Sequence, residues 1–476
     1  SRGAGRRPGG EVSPRRIMGL ETEYGITAVA DGHRALGPDE ISRYLFRPVV
    51  AEYSSSNVFI PNGARLYLDV GAHPEYATAE CDGLSQLVAH HVAGDRVVDE
   101  LAVRAERAVA ADGIDAQVYL FKNNVDSLGN SYGCHENYLV GRSAVLKTLG
   151  RDLMPFLVTR QLVCGAGLVT RPRGDRPAEF LLSQRADQVW ESVSSATTRS
   201  RPVINTRDEP HADSHRFRRM HVIVGDSNMA EPTTALKVGS MLLMLELAEA
   251  GAGLPTVELK HPVAQGRVVA RDVTGRAELE CADGSTTCAL EIQRACCTAA
   301  RAWLAERPDT ASGTTTAEMT RVVELWERAL DAVDSGELDR VGREVDWVIK
   351  RNLLERYRDR LGGDWAHPKL AQVDLAYHDI RPGRGLYGLL SARGLVEHWV
   401  DEAAIAAGVD TAPQTTRARA RGEFLAAARA AGTQVTCDWQ RLKVTRPEPE
   451  TLELSDPFEP HPEGLDHMVE LAGGPR

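Results

Sequence analysis

Apolar residues recur along this chain at two different spacings, and the switches between them outline its elements. Helical spacing runs through Pro38–Tyr53, where Ile41, Leu45 and Val49 follow a Pro-Asp start, and through Leu84–Ala111, whose apolar stripe includes Leu87, Val98 and Leu101. The stretch Thr233–Ala250 is apolar almost all round and stops at Gly251, which predicts a core helix. Residues 318–361 place Val322, Trp326, Leu330 and Val333, then Val341, Val345 and Val348, as two or three amphipathic helices would. Alternation with period two predicts strands at Arg16–Gly25, Gly63–Val70, Gln117–Phe121, Ser131–Leu139, His221–Asp226 and Cys437–Val444.

The polar halves of these strands carry the candidate chemistry. Arg65, Tyr67 and Asp69 share one face while Ala64, Leu66, Leu68 and Val70 share the other. Such a polar row is costly to desolvate unless ligands or countercharges meet it, which fits a cleft; a polar strand face turned to water fits equally. Glu21 and Glu23 project to one side of their strand, where a hard cation such as Mg²⁺ would relieve their repulsion, and two solvated glutamates are the plainer alternative. His135 and Asn137 share a strand face behind Gly133, which leaves room for a ligand. Between Ser194 and Asp213 lies the densest polar passage, with Arg199, Arg201 and Arg207 as fork-shaped donors for phosphate or carboxylate, or as a solvated basic loop. Arg216, Arg218 and Arg219 form a basic cluster suited to an acidic partner.

At 476 residues the chain has room for a large domain and a smaller companion. The linker is expected at Ala406–Gln414 (AAGVDTAPQ), dividing a 15–405 catalytic domain from a 412–476 C-terminal domain, with residues 1–14 as a flexible tail rather than a signal peptide. The 67 acidic residues outnumber the 56 basic ones, giving a net charge of −11, which argues against nucleic acid as a partner. Eight cysteines without a Cys-x-x-Cys pair fit reduced thiols and a cytoplasmic location. No apolar run reaches the length of a membrane span, so no membrane partner is expected. Neither a P-loop nor a Gly-x-Gly-x-x-Gly turn occurs, so any nucleotide must be held by a sheet lined with carboxylates and arginines.

The blocks Gly19–Gly25, Asn62–Asp69, His73–Thr78, Gly133–Tyr138 and Arg207–Asp213 resemble the Pup ligase and deamidase family, over about Arg16 to Pro457. The His135-x-Asn137 strand and the Gly225–Asn228 entry to a buried helix are more distantly similar to glutamine synthetase. The resemblance implies an α+β fold, a glutamine synthetase-like large domain with helices packed on a curved, mainly antiparallel sheet, plus a small C-terminal domain. It implies Glu21, Tyr67 and Glu75 as Mg²⁺ ligands, Arg65, Thr78 and Trp439 as ATP contacts, and Asp69 as the catalytic carboxylate. Glu23, His135, Asn137, Arg199, Arg201 and Arg207 are secondary candidates. The implied reaction phosphorylates the γ-carboxylate of the C-terminal glutamate of Pup, a small acidic protein, and joins it to a lysine of a target protein, marking that target for proteasomal degradation. The alternatives are the deamidase branch, a small-molecule carboxylate-amine ligase and a non-catalytic Pup-binding scaffold. The deamidase branch carries a long insertion where this chain has only the stretch from Ile26 to Pro61, which favours ligation.

Overall fold

The computed structural model describes residues 15–69, 71–194, 201–207, 209–255, 257–309 and 312–474; the tail at 1–14 and Arg199 lie outside them. In chain order the first strands are β1 (Met18–Glu23), β2 (Gly25–Ala30), β3 (His33–Leu36), β4 (Asn57–Phe59), β5 (Arg65–Leu68), β6 (Pro74–Ala77), β7 (Gln117–Phe121) and β8 (Cys134–Gly141). Then follow β9 (Leu168–Val169), β10 (Phe180–Leu181), β11 (Glu191–Ser194), β12 (Pro202–Asn205) and β13 (Phe217–Val222). Eight of them make one sheet in the order β11-β12-β13-β8-β1-β6-β5-β4. Only β11 and β12 pair in parallel within it.

Period-two patterning decides which face of this sheet is covered. Met18, Leu20, Tyr138, Met220 and Val222 are buried in one large core with the helices Leu146–Thr159, Glu231–Glu249 and Thr316–Ser335. Leu66 and Tyr76 join a second core with the helices Pro38–Tyr53 and Leu84–Ala111. Each buried aliphatic side chain there contributes about 1.5–3 kcal/mol. The opposite face keeps its polar residues, and β1 alternates buried and half-buried along its whole length. The result is α+β, with helices on the apolar side of a mainly antiparallel sheet.

Three elements differ from the sequence expectation. The stretch Ala406–Gln414 is irregular only from Thr411: the helix Glu402–Asp410 takes in its first five residues, and Ile405 packs against Ala89 and Ala93. A Cβ on Gly408 would stand 3.2 Å from that of Ala93, so its glycine reflects close helix packing rather than flexibility. The strand expected at His221–Asp226 is instead β13, ending at Val222. Its continuation is drawn off the ladder because buried Asp226 accepts from Ala166 N at 2.8 Å, Ser183 Oγ at 3.0 Å and Gln184 N at 3.1 Å. Finally, Cys437–Val444 is two strands, Val435–Cys437 and Arg441–Val444, folded at Asp438, whose carboxylate accepts from Gln440 N at 2.8 Å. These strands pack with the helices Ala418–Ala431 and Leu465–Ala472 around a third core that also takes in Phe59 of β4. The C-terminal module is thereby fastened to the edge of the main sheet.

Candidate active site

Antiparallel register lines up the polar face of the sheet in rows. Tyr67 on β5, Glu75 on β6 and Glu23 on β1 are direct cross-strand partners. The neighbouring row holds Arg65, Ala77, Glu21 and His135, and the next holds Gly19, Asn137 and His221. Residues dispersed over some two hundred positions thus share one surface because each sits on the outward phase of its strand.

Two clusters result, one of three carboxylates and one of a carboxylate with two imidazoles. Oxygens of Glu23, Asp69 and Glu75 lie within 4.8 Å of one another. Burial, with Glu23 and Glu21 as like-charged neighbours, holds the Glu75 carboxyl well above the usual carboxylate range. Glu23 is also raised, chiefly by burial, although it accepts from Gly133 N at 3.0 Å. Asp69 is fixed by two backbone donors, Gly71 N at 2.9 Å and His73 N at 2.8 Å, both onto Oδ1. In the second centre Glu21 stands 3.3 Å from His221 Nε2 and 3.9 Å from His135 Nδ1, and accepts from Asn137 Nδ2 at 3.0 Å. Burial alone would raise Glu21, but the imidazoles and Asn137 outweigh it and keep this carboxylate ionised. His135 is pushed down to about 3 by burial and by His221. Tyr67 keeps its proton, since burial and the charges of Glu21 and Glu75 drive its pKa upward. At Gly133 a Cβ would come within 2.3 Å of the His135 ring, so the glycine is required sterically.

Beside Glu21 the sheet opens into a cleft lined by Glu21, Arg65, Thr78, Asn137, Arg219 and Trp439. The Arg65 guanidinium lies 4.3 Å over the Tyr67 ring and its Nε donates to Asn57 Oδ1 at 2.8 Å. Thr78 Oγ1 accepts from Leu20 N at 3.1 Å, which ties β1 to the residue following β6. Trp439 reaches the cavity from the C-terminal module, edge-on to Phe59 at 4.8 Å. Its module is held there by the buried Glu80 carboxylate, which accepts from Arg421 and, at 2.5 Å, from Arg417 Nε; the two arginines pull its pKa down to about 2 against the desolvation.

Of the sequence-predicted residues, Glu21, Glu23, Arg65, Tyr67, Asp69, Glu75, Thr78, His135, Asn137 and Trp439 converge here. Arg201 is bonded instead to Gln188 Oε1 at 3.3 Å, and Arg207, about half exposed, pairs with Glu209 at 2.7 Å. Arg216, Arg218 and Arg219 do not form one groove, because alternation along β13 sends Arg219 to Asn137 Oδ1 at 2.7 Å while Arg216 pairs with Asp456 at 3.8 Å. Sequence reasoning missed His221, whose Arg219-x-His221 spacing repeats the His135-x-Asn137 pattern and was a usable signal. It also missed Arg185, buried, donating to Ser131 Oγ at 2.5 Å and coupled electrostatically to Glu23; no local pattern marks it.

The family model described as "Pup-ligase protein" matches residues 16–443. The chain belongs to the Pup-ligase family. A relative from Corynebacterium aurimucosum, the Pup--protein ligase, is 64% identical over 460 residues, covering 96% of each chain. A crystal structure of the complex between prokaryotic ubiquitin-like protein Pup and its ligase PafA superposes with a TM-score of 0.93 at 56% identity, covering 97% of this chain and 93% of that one. PafA in complex with ADP matches with a TM-score of 0.85 at 57% identity, covering 93% and 95%. Family membership therefore extends over both the sheet and the module carrying Trp439.

Proposed function

We propose that this chain is an ATP-dependent Pup–protein ligase, which phosphorylates the γ-carboxylate of Pup's C-terminal glutamate and joins it to a lysine ε-amine of a target protein. The observation that carries this reading is a cleft lined by Glu21, Arg65, Thr78 and Trp439, one row of the sheet from the Glu23–Asp69–Glu75 cluster. Phosphoryl transfer requires that juxtaposition: a nucleotide cleft, cation-binding oxygens at its phosphate end, and a base. The titration behaviour fits a divalent cation, because clustered carboxylates held above their normal pKa gain most when a cation lets them ionise. Glu21, Tyr67 and Glu75 are the proposed Mg²⁺ ligands, with Glu23 beside Glu75 as a further oxygen donor. Mg²⁺ there would offset the negative charge on the phosphate oxygens.

Arg65 and Thr78 are proposed to contact ATP, with Trp439 closing over it from the 412–476 module. Asp69 accepts the proton of the attacking amine. A lysine with an unperturbed pKa of about 10.4 costs roughly 4 kcal/mol to deprotonate at neutral pH, and a fixed carboxylate reduces that cost in the transition state. Asp69 is suited to this by position, since its two backbone hydrogen bonds hold it at the edge of the acidic cluster. We place the reaction in the cytoplasm, consistent with eight free thiols and with no helix among the described residues long and apolar enough to cross a membrane. The test is direct: the purified chain with ATP, Mg²⁺, Pup ending in glutamate and a lysine-bearing protein gives an isopeptide-linked product. ATP turnover that is robust without Pup would replace this reading with a small-molecule carboxylate-amine ligase.

A further inference from the structure

A second set of chemically complementary side chains lies outside the cavity and its acidic clusters. His398 Nε2 is 3.2 Å from Ser391 Oγ, and His398 Nδ1 is 2.7 Å from Glu231 Oε2. Glu231 is 5% exposed, and its other oxygen accepts from Trp399 N and Val400 N, each at 3.1 Å. A buried carboxylate so held fixes the imidazole tautomer, with Nδ1–H toward Glu231 and Nε2 free to take the serine proton. The segment carrying His398 is braced on both sides. Arg343 donates to Gly394 O at 2.6 Å and to Glu397 at 3.0 Å, while Arg321 donates to Trp399 O at 2.9 Å and covers its ring at 3.7 Å. Nucleophile, base and orienting acid are therefore in sequence and preorganised.

We propose that Ser391, His398 and Glu231 form a second, nucleotide-independent site at which Ser391 is acylated by activated acyl donors, esters or thioesters with good leaving groups. This goes beyond the ligase reading and does not depend on it. Ser391 Oγ attacks the donor carbonyl, the Oγ–C bond forms and the bond to the leaving group breaks. The hydroxyl proton passes to His398 Nε2 and on to the departing group, so no external oxidant or reductant is involved. Access is given from solvent, since the His398 side chain is 49% exposed. The local backbone restricts the donor class: Arg393 N, Gly394 N and Leu395 N are already bonded to Leu389 O, Ser391 O and Leu390 O. With those amides spent there is no ready oxyanion donor among them, so unactivated amides and peptides are excluded as substrates.

The test uses the full chain without ATP or Mg²⁺, 4-nitrophenyl acetate as the probe, and peptide mapping of the product. Acetyl-Ser391 forms in the wild type, and its rate falls by about a hundredfold in His398→Gln, the span expected for a lost general base. Ser391→Ala removes the modified peptide, while surface lysines acetylate equally in all three proteins and Pup conjugation is retained. Absence of acetyl-Ser391 in the wild type, or its formation at the wild-type rate in His398→Gln, overturns the proposal. Should Ser391→Ala prove misfolded, the wild type and His398→Gln alone decide it.

Discussion

Substituting Asp69 by asparagine separates proton transfer from metal and nucleotide binding. Both backbone hydrogen bonds of Asp69 fall on Oδ1, so the asparagine carbonyl can keep them and the loop geometry with them. What changes is charge and basicity. With carboxylate oxygens up to 4.8 Å apart, each like-charge pair at an effective dielectric of about 20 repels by about 3 kcal/mol. Asp69 is half-buried, and solvent screening reduces this to about 1 kcal/mol per neighbour. Asp69→Asn therefore eases the ionisation of Glu23 and Glu75 and leaves ATP–Mg²⁺ affinity unchanged or, with about 2 kcal/mol relieved over the two neighbours, up to about thirtyfold tighter. Isopeptide formation falls by about 10² to 10⁴, because the amide cannot take the lysine proton. Nucleotide titration and a conjugation time course on the same preparation read both quantities. Parallel loss of affinity and conjugation would make Asp69 a cation ligand, and conjugation within about threefold of wild type would remove it from the mechanism.

Trp439→Ala weakens nucleotide binding in equilibrium titrations while the main sheet stays folded by circular dichroism; unchanged affinity returns Trp439 to packing against Phe59. Because burial and like charge raise Glu75, its folded-state pKa exceeds the unfolded one, and its ionised form opposes folding above the unfolded pKa. Glu75→Gln in chelator consequently raises the melting temperature at neutral pH by about a degree or two, an increment that vanishes at acid pH where both states are protonated. By the same sign, Mg²⁺ affinity of the wild type rises with pH through the raised carboxylate range and binding releases protons, measurable by calorimetry in buffers of different ionisation enthalpy.

The polar strand faces are legible in the sequence because strands encode their faces locally, whereas Glu75, Thr78 and Trp439 enter only through the family resemblance. Arg65, Tyr67 and Asp69, or Glu21 and Glu23, are read two by two from alternation, and antiparallel pairing brings the two sets together. The pairing itself was not legible: nothing in β1 says that Glu23 faces Glu75 or that His221 lies by Asn137, since register is settled by the burial of Leu20, Leu66 and Met220 on the far side. Arg201 and Arg207 illustrate the converse, where residue type suggested a phosphate clamp but Gln188 and Glu209 satisfy the guanidinium groups. Ala406–Asp410 is helical where the composition suggests a linker, because Ala and Gly at 406–408 serve close helix packing as readily as flexibility, and composition alone does not distinguish the two.

Ligation is assigned to the Glu23–Asp69–Glu75 and Glu21–His135–His221 clusters beside the cleft that Trp439 lines. Purified chain, ATP, Mg²⁺ and a lysine-bearing protein should be supplied in parallel with Pup ending in glutamate and Pup ending in glutamine, following conjugate and ADP together. A ligase gives conjugate from the glutamate form only, with one ADP released for each isopeptide bond. Conversion of the glutamine form to glutamate with no conjugate from either would contradict it and make the chain a deamidase.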